Sequence, residues 1–149
     1  FLVNTLGIPG FDFQPTERRV YPHGRLVAHA LGLTNIDGRG LSGIEGYFDK
    51  VLRGTERPLE LSIDIRVQSV LREELVKAML EFRAVGAAGL VLNATNGEVR
   101  AMISLPDFNP NNYEKYGMAT FNNKAISDAY EPGSTFKLEK TLFIPLICA

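Results

Sequence analysis

The stretch Glu131-Pro132-Gly133-Ser134-Thr135-Phe136-Lys137 carries the sharpest chemical signal in the chain. Pro132 and Gly133 precede a segment, Ser134 to Ile144, that reads as a helix stopped near Pro145. Ser134 and Lys137 then share one helical face, with Cβ atoms about 5–6 Å apart. Serine is a weak nucleophile until a base removes its proton. A lysine serves as that base when burial or a nearby cation lowers its pKa. At the first turn of a helix, free backbone amides and the positive dipole end favour negative charge beside the serine, as an oxyanion would require. The tetrapeptide alone does not decide the matter. At Ser and Lys frequencies of roughly 6% each, a chain of this length holds about half a Ser-x-x-Lys by chance. A capping serine followed by a solvated lysine is the commoner origin of the pattern.

Upstream of this stretch, Pro106 to Asn123 reads as a long asparagine-rich loop, the kind that is functional or mobile. Before it, Ala88 to Leu92 and Glu98 to Ser104 are strand-like runs on either side of Asn93-Ala94-Thr95-Asn96-Gly97, a hairpin signal. Asp64 is placed to cap a long helix. Its apolar stripe would be Val67, Val70, Leu71, Leu75, Ala78, Met79 and Phe82. Leu59, Leu61 and Ile63 alternate with polar residues and suggest a short strand. The first sixty residues are rich in glycine and proline, with a short helix or turn at Arg25 to Leu33. A second helix is expected from Ser42 to Leu52, with Ser42 and Glu45 forming a capping box and Gly54 as its stop. Arg53 to Pro58 reads as a linker.

The chain has 149 residues, 45% of them hydrophobic and 22% charged, with a net charge of −1. Those proportions suit a packed core and argue against nucleic acid or an anionic membrane surface as the main target. The longest apolar run, Leu142 to Ala149, contains Pro145 and is too short to span a bilayer. A single cysteine, Cys148, excludes an internal disulfide, and with His23 and His29 it makes a poor metal set. Both histidines are expected in ordinary surface or half-buried roles. Arg18, Arg19 and Arg25 are expected to be solvated or salt-bridged. Cys148 has no base partner and reads as incidental.

In its wider setting the Glu131–Lys137 stretch resembles the nucleophile segment of class B penicillin-binding proteins, the transpeptidases that cross-link peptidoglycan. Asn123-Lys124-Ala125 through Tyr130 resembles the approach to that segment. Gly97-Glu98-Val99-Arg100-Ala101-Met102, then Pro106 and Asn109-Pro110-Asn111, resemble the hairpin and loop that start the catalytic domain. Leu61-Ser62-Ile63-Asp64 with Gln68 resembles the strand and helix that open it. Arg19-Val20-Tyr21-Pro22 with Gly24, and Gly40-Leu41-Ser42-Gly43-Ile44-Glu45, resemble motifs of the non-catalytic pedestal. Order and spacing hold from about residue 18 to 137, and the wording is most similar to the septal type of a Gram-negative bacterium.

The resemblance implies an α+β fold with helices on an antiparallel sheet. A partial pedestal of the dimerisation type would occupy residues 1–58. The opening of a transpeptidase domain, like that of penicillin-binding proteins and β-lactamases, would occupy 59–149, with an atypical tail at 138–149. It implies Ser134 as nucleophile and Lys137 as general base, with no metal or organic cofactor. The substrate would be the D-Ala-D-Ala end of a stem peptide, and β-lactams would mimic it. Membrane proteins of the division machinery would be partners, and a parent anchored in the bacterial inner membrane would carry the domain in the periplasm.

The family's Ser-x-Asn turn and Lys-Thr-Gly strand do not occur here, since Lys140-Thr141 is followed by Leu142. The chain, which starts at Phe1, therefore reads as cut at both ends and inactive by itself. Two other readings are a class D type β-lactamase, which also suits Ser-Thr-Phe-Lys, and a non-catalytic interaction module of the division machinery.

Overall fold

The computed structural model describes residues 17–55, 57–129 and 143–148. Its organising element is the helix α4, Ile65–Phe82. Asp64 caps it as expected, its carboxylate accepting from the backbone N–H of Arg66 at 2.9 Å. Arg83 ends it in the left-handed conformation, φ 53°. The helix packs on an antiparallel hairpin of β1, Gly86–Leu92, and β2, Val99–Leu105. Leu71 and Leu75 meet Ala87, Ala101, Ile103 and Leu105 in one apolar cluster, with Val67, Val76, Met79 and Val91 at its margin. Small residues in β1 allow this close seat. A Cβ on Gly89 would lie 2.9 Å from Leu71 Cδ1 and 3.0 Å from Leu75 Cδ1. The apolar stripe is narrower than its sequence suggests. Val70 and Phe82 are exposed, and Gln68 holds the buried position one turn before Leu71.

The hairpin runs in the register Ala87↔Leu105 to Val91↔Ala101, with an irregularity before Leu92↔Val99. Asn93 and Glu98 close its turn by Asn93 N–H to the Glu98 carbonyl at 2.8 Å. Gly97 supplies the positive φ of 76° that this turn requires.

A third strand, β3, Phe143–Cys148, pairs antiparallel with the other edge of β1, giving the order β2-β1-β3. The expected helix therefore does not reach Ile144; residues 130–142 lie outside the described residues. The apolar run from 143 instead meets the backbone groups of β1 that face away from β2. The register shows which groups those are. Arg100 and Met102 bond away from β1, so Ala101, Ile103 and their partners Val91 and Gly89 bond toward each other. Ala88 and Leu90 then bond to Leu146 and Ile144. Pro145, opposite Gly89, falls where the ladder needs no N–H.

The outer side of β2 is occupied by single groups rather than by a strand. Asp64 N–H donates to the Arg100 carbonyl at 2.8 Å, and the Ser62 hydroxyl donates to the Val99 carbonyl at 2.8 Å. The expected strand at residues 59–63 forms no ladder. Next along the edge, the Gln68 amide accepts from Met102 N–H at 2.8 Å and donates to the Met102 carbonyl at 2.7 Å. One side chain thus does for β2 what a neighbouring strand would do.

The front part holds a 3-10 turn at Gly24–Val27 and three short helices: α1, Ala28–Leu31, α2, Gly43–Tyr47, and α3, Asp49–Gly54. The single helix expected over Ser42–Leu52 is broken at Phe48, and Ser42 makes no side-chain cap. Gly43 at the first helical position has φ 59°, which removes the geometry a serine cap needs. Glu45 is not in a capping box. Its buried carboxylate pairs with both ends of the Arg19 guanidinium, at 2.9 and 3.0 Å. A second apolar cluster of Ala28, Leu33 and Phe108, edged by Tyr113, Tyr116 and Phe121, joins this part to the loop after β2.

Candidate active site

Ser134 and Lys137 lie outside the described residues, as does the whole Glu131–Lys137 stretch. What the structure describes is the ground that leads to them. The helix α5, Lys124–Ser127, begins seven residues before the stretch and is seated directly on the hairpin. The Asn123 side chain is buried and accepts from Ala125 N–H at 3.1 Å, capping α5. Lys124 N–H donates to the Ser104 hydroxyl at 3.0 Å, and Ser104 is buried in β2. The Lys124 stem lies over Gly86 of β1, where an added Cβ would come 3.1 Å from Cε. Its ammonium pairs with Asp128 at 3.1 Å, one turn on. Ser127 donates to the Asn123 carbonyl at 2.7 Å. The direction of the chain at residue 128 is therefore set by β1 and β2.

The loop between β2 and α5 carries two 3-10 turns, Pro110–Lys115 and Met118–Phe121, and is clamped to the front part by polar side chains. Asp107 takes Arg72 Nε of α4 at 2.6 Å and lies 3.7 Å from Arg25. Arg25 also donates to the Tyr116 hydroxyl at 2.8 Å and stands over that ring. Asn111 accepts from Tyr21 N–H and donates to the Tyr21 carbonyl, both at 2.9 Å. Arg18 donates to the Asn111 carbonyl at 3.1 Å. The second amide hydrogen of Gln68 reaches the Leu26 carbonyl at 2.8 Å. His29 sits 2.8 Å from the Thr120 carbonyl, edge-on to Phe108. Burial holds the His29 pKa below its ordinary value, against the opposing pull of the Thr120 carbonyl and Asp107.

Arg19 and Arg25 are salt-bridged, to Glu45 and Asp107, while Arg18 donates to a backbone carbonyl and is otherwise exposed. His29 is buried, while His23 lies exposed at the start of the first 3-10 turn. Among the described residues no cluster of three His, Cys, Asp or Glu could hold a metal, and no helix is long and apolar enough to cross a membrane. No local sequence pattern marks Ser104, Asp107, Asn111 or Asn123 as an individual functional group. Gln68 had one usable signal, a polar residue in phase with Leu71 and Leu75 on the buried face of α4.

Comparison with known proteins agrees with this architecture. The penicillin-binding protein dimerisation domain matches residues 3–74, and the penicillin binding protein transpeptidase domain matches residues 87–143. A probable peptidoglycan D,D-transpeptidase FtsI of Caulobacter vibrioides is 45% identical over 139 residues, covering 89% of this chain and 23% of the relative. The peptidoglycan D,D-transpeptidase FtsI of Escherichia coli K12 is 32% identical over 160 residues, covering 91% of this chain and 27% of the relative. The crystal structure of penicillin binding protein 3 from Mycobacterium tuberculosis, complexed with aztreonam, aligns with a TM-score of 0.71 and 32% identity, over 79% of this chain and 29% of that one. The chain belongs to the class B penicillin-binding proteins. It spans about a quarter of the length of the curated relatives it matches, 23% and 27% in the two cases above.

Proposed function

We propose that this chain supplies a pedestal segment and the opening of the catalytic domain of a peptidoglycan D,D-transpeptidase, with Ser134 as nucleophile and Lys137 as its base. The observation that carries the reading is the transpeptidase-domain match over residues 87–143, which includes the Ser134-Thr135-Phe136-Lys137 motif. Lys137 would take the Ser134 proton as Oγ attacks the carbonyl of the penultimate D-Ala. Collapse of the tetrahedral intermediate would break the peptide bond, and the proton would leave with the amine of the terminal D-Ala. The amine of a second stem peptide would then attack the ester and release Ser134. A β-lactam would acylate the same oxygen by opening its ring, so no leaving group would depart. The boundary between the two parts is proposed at residues 58 and 59, in the segment between α3 and α4. The proposed setting is the outer face of a bacterial inner membrane, with membrane proteins of cell division as partners. The dimerisation-domain match over residues 3–74 favours this reading over a class D β-lactamase.

A chimera tests it. Residues 18–137 would replace the matching stretch of the Escherichia coli relative, and the product would be mixed with a fluorescent penicillin. Stable labelling is expected, with loss of label in Ser134→Ala and labelling slowed by about 10²–10⁴-fold in Lys137→Met. Labelling that survives Ser134→Ala overturns the assignment. The 149-residue chain by itself has neither Ser-x-Asn nor Lys-Thr-Gly and is expected to stay unlabelled.

A further inference from the structure

We propose that His29 is a pH-operated latch, holding the Met118–Phe121 turn against α1 when neutral and releasing it when protonated. The latch does not depend on Ser134 being a nucleophile. It rests on where the ring sits. A carbonyl can only accept, so the 2.8 Å contact with Thr120 assigns the proton of the neutral ring to Nε2. A second proton must then enter at Nδ1. The ring is 9% exposed and packs edge-on against Phe108 at 5.1 Å, which in turn packs edge-on against Phe121 at 4.9 Å.

The charged group that faces His29 is Asp107, and Arg72 and Arg25 already compete for that carboxylate. From the Met118–Phe121 turn come the Thr120 carbonyl and Phe121. Across a cavity of about 220 Å³ lie Ser42 and Gly43 at the start of α2, with Asn122 and Asn123 beside them. None of these brings a second charge. An imidazolium here gains no dedicated carboxylate, and the adjoining cavity gives the ring room to turn toward water.

The sign follows from burial, which holds the folded-state pKa below the unfolded value near 6.5. Stability is complete above that pH and is lost as pH falls from it toward the folded pKa. The loss is local. His29 binds the turn that ends two residues before the Asn123 cap of α5, whereas the apolar cluster of α4 and the hairpin does not include the ring.

The test is amide hydrogen exchange on the 149-residue chain at about pH 7.5 and about pH 5, with rates normalised to intrinsic exchange at each pH. Protection of residues 118–127 is expected to fall at least about threefold at the lower pH, while that of 65–82 and 86–105 stays unchanged. His29→Gln keeps a neutral donor for the Thr120 carbonyl and is expected to abolish the pH response. His23→Gln is expected to retain it. A response that persists in His29→Gln, that spreads equally through α4, or that is missing in the unaltered chain overturns the latch. Should His29→Gln fail to fold, proton NMR titration of the unaltered chain decides. His29 is expected to titrate below the ordinary histidine value near 6.5, and titration at or above that value overturns the proposal.

Discussion

The unit of α4 and the hairpin, and the contact between residues 18–29 and 107–121, are held by different forces. In the first, Leu71 and Leu75 press onto Ala87, Gly89, Ala101, Ile103 and Leu105 of the hairpin, an apolar contact throughout. In the second, Phe108 supplies an apolar centre, but alignment comes from Asn111 on Tyr21, Asp107 between two arginines, and His29 on Thr120. Apolar burial is non-directional and scales with area, so the first region tolerates small shifts without losing its energy. Hydrogen bonds are directional and weaken steeply as their angle closes, so the second region depends more on register. Gln68 belongs to both. It sits on the apolar face of α4, yet its amide reaches β2 and the Leu26 carbonyl together.

That shared position makes Gln68→Ala the most damaging change expected. It strips three backbone groups of partners and opens a cavity, for a loss of about 4 kcal/mol in urea unfolding. Retention of stability within about 1 kcal/mol would mean the two regions are not tied through this residue. Leu71→Ala follows, at about 3 kcal/mol, and should lower the unfolding midpoint without a selective change in the 107–121 loop. Asn111→Ala is expected to cost about 1–2 kcal/mol, with protection lost in residues 107–121 before α4. Equal loss across the molecule would erase the distinction between the two regions. Asp107→Asn weakens a pair in which Arg25 is about half exposed and Arg72 less so, so about 1 kcal/mol is expected, shrinking as salt is added. The smallest effect belongs to Asp64. Hydrogen bonds from the Arg66 side chain and backbone lower its pKa from 3.8 to about 2. Its contribution is therefore present above pH 3.8 and lost as pH falls through about 2, and Asp64→Asn should remove that part of an acid-unfolding curve.

What could be read from sequence tracks the same division. α4 and the hairpin announce themselves because burial imposes a period: 3.6 along the helix and a turn glycine between strands. Their limits differ from the observed ones by only a few residues. Ser42–Leu52 misled because a serine and a glutamate three apart match a capping box whether or not the glutamate has a distant arginine. Asn111 and Tyr21 are ninety positions apart, and no local pattern marks such a bracket. Ser134 and Lys137 were legible as a motif. Both lie outside the described residues, and local spacing alone does not give their setting. The resemblance to a known family supplied the architecture that the motif alone could not.

The occupied side of β2 has a consequence for the molecule in company. An unpaired strand edge is a template on which a second chain can add. Here Asp64 takes the Arg100 carbonyl, and the Gln68 amide takes both the donor and the acceptor of Met102 that such a template would offer. On the opposite flank, the side of β3 that faces away from β1 has no donor at Pro145. Among the described residues, the β2 border is thus a poor seed for growth, and the flank of β3 lacks one donor that an added strand would use.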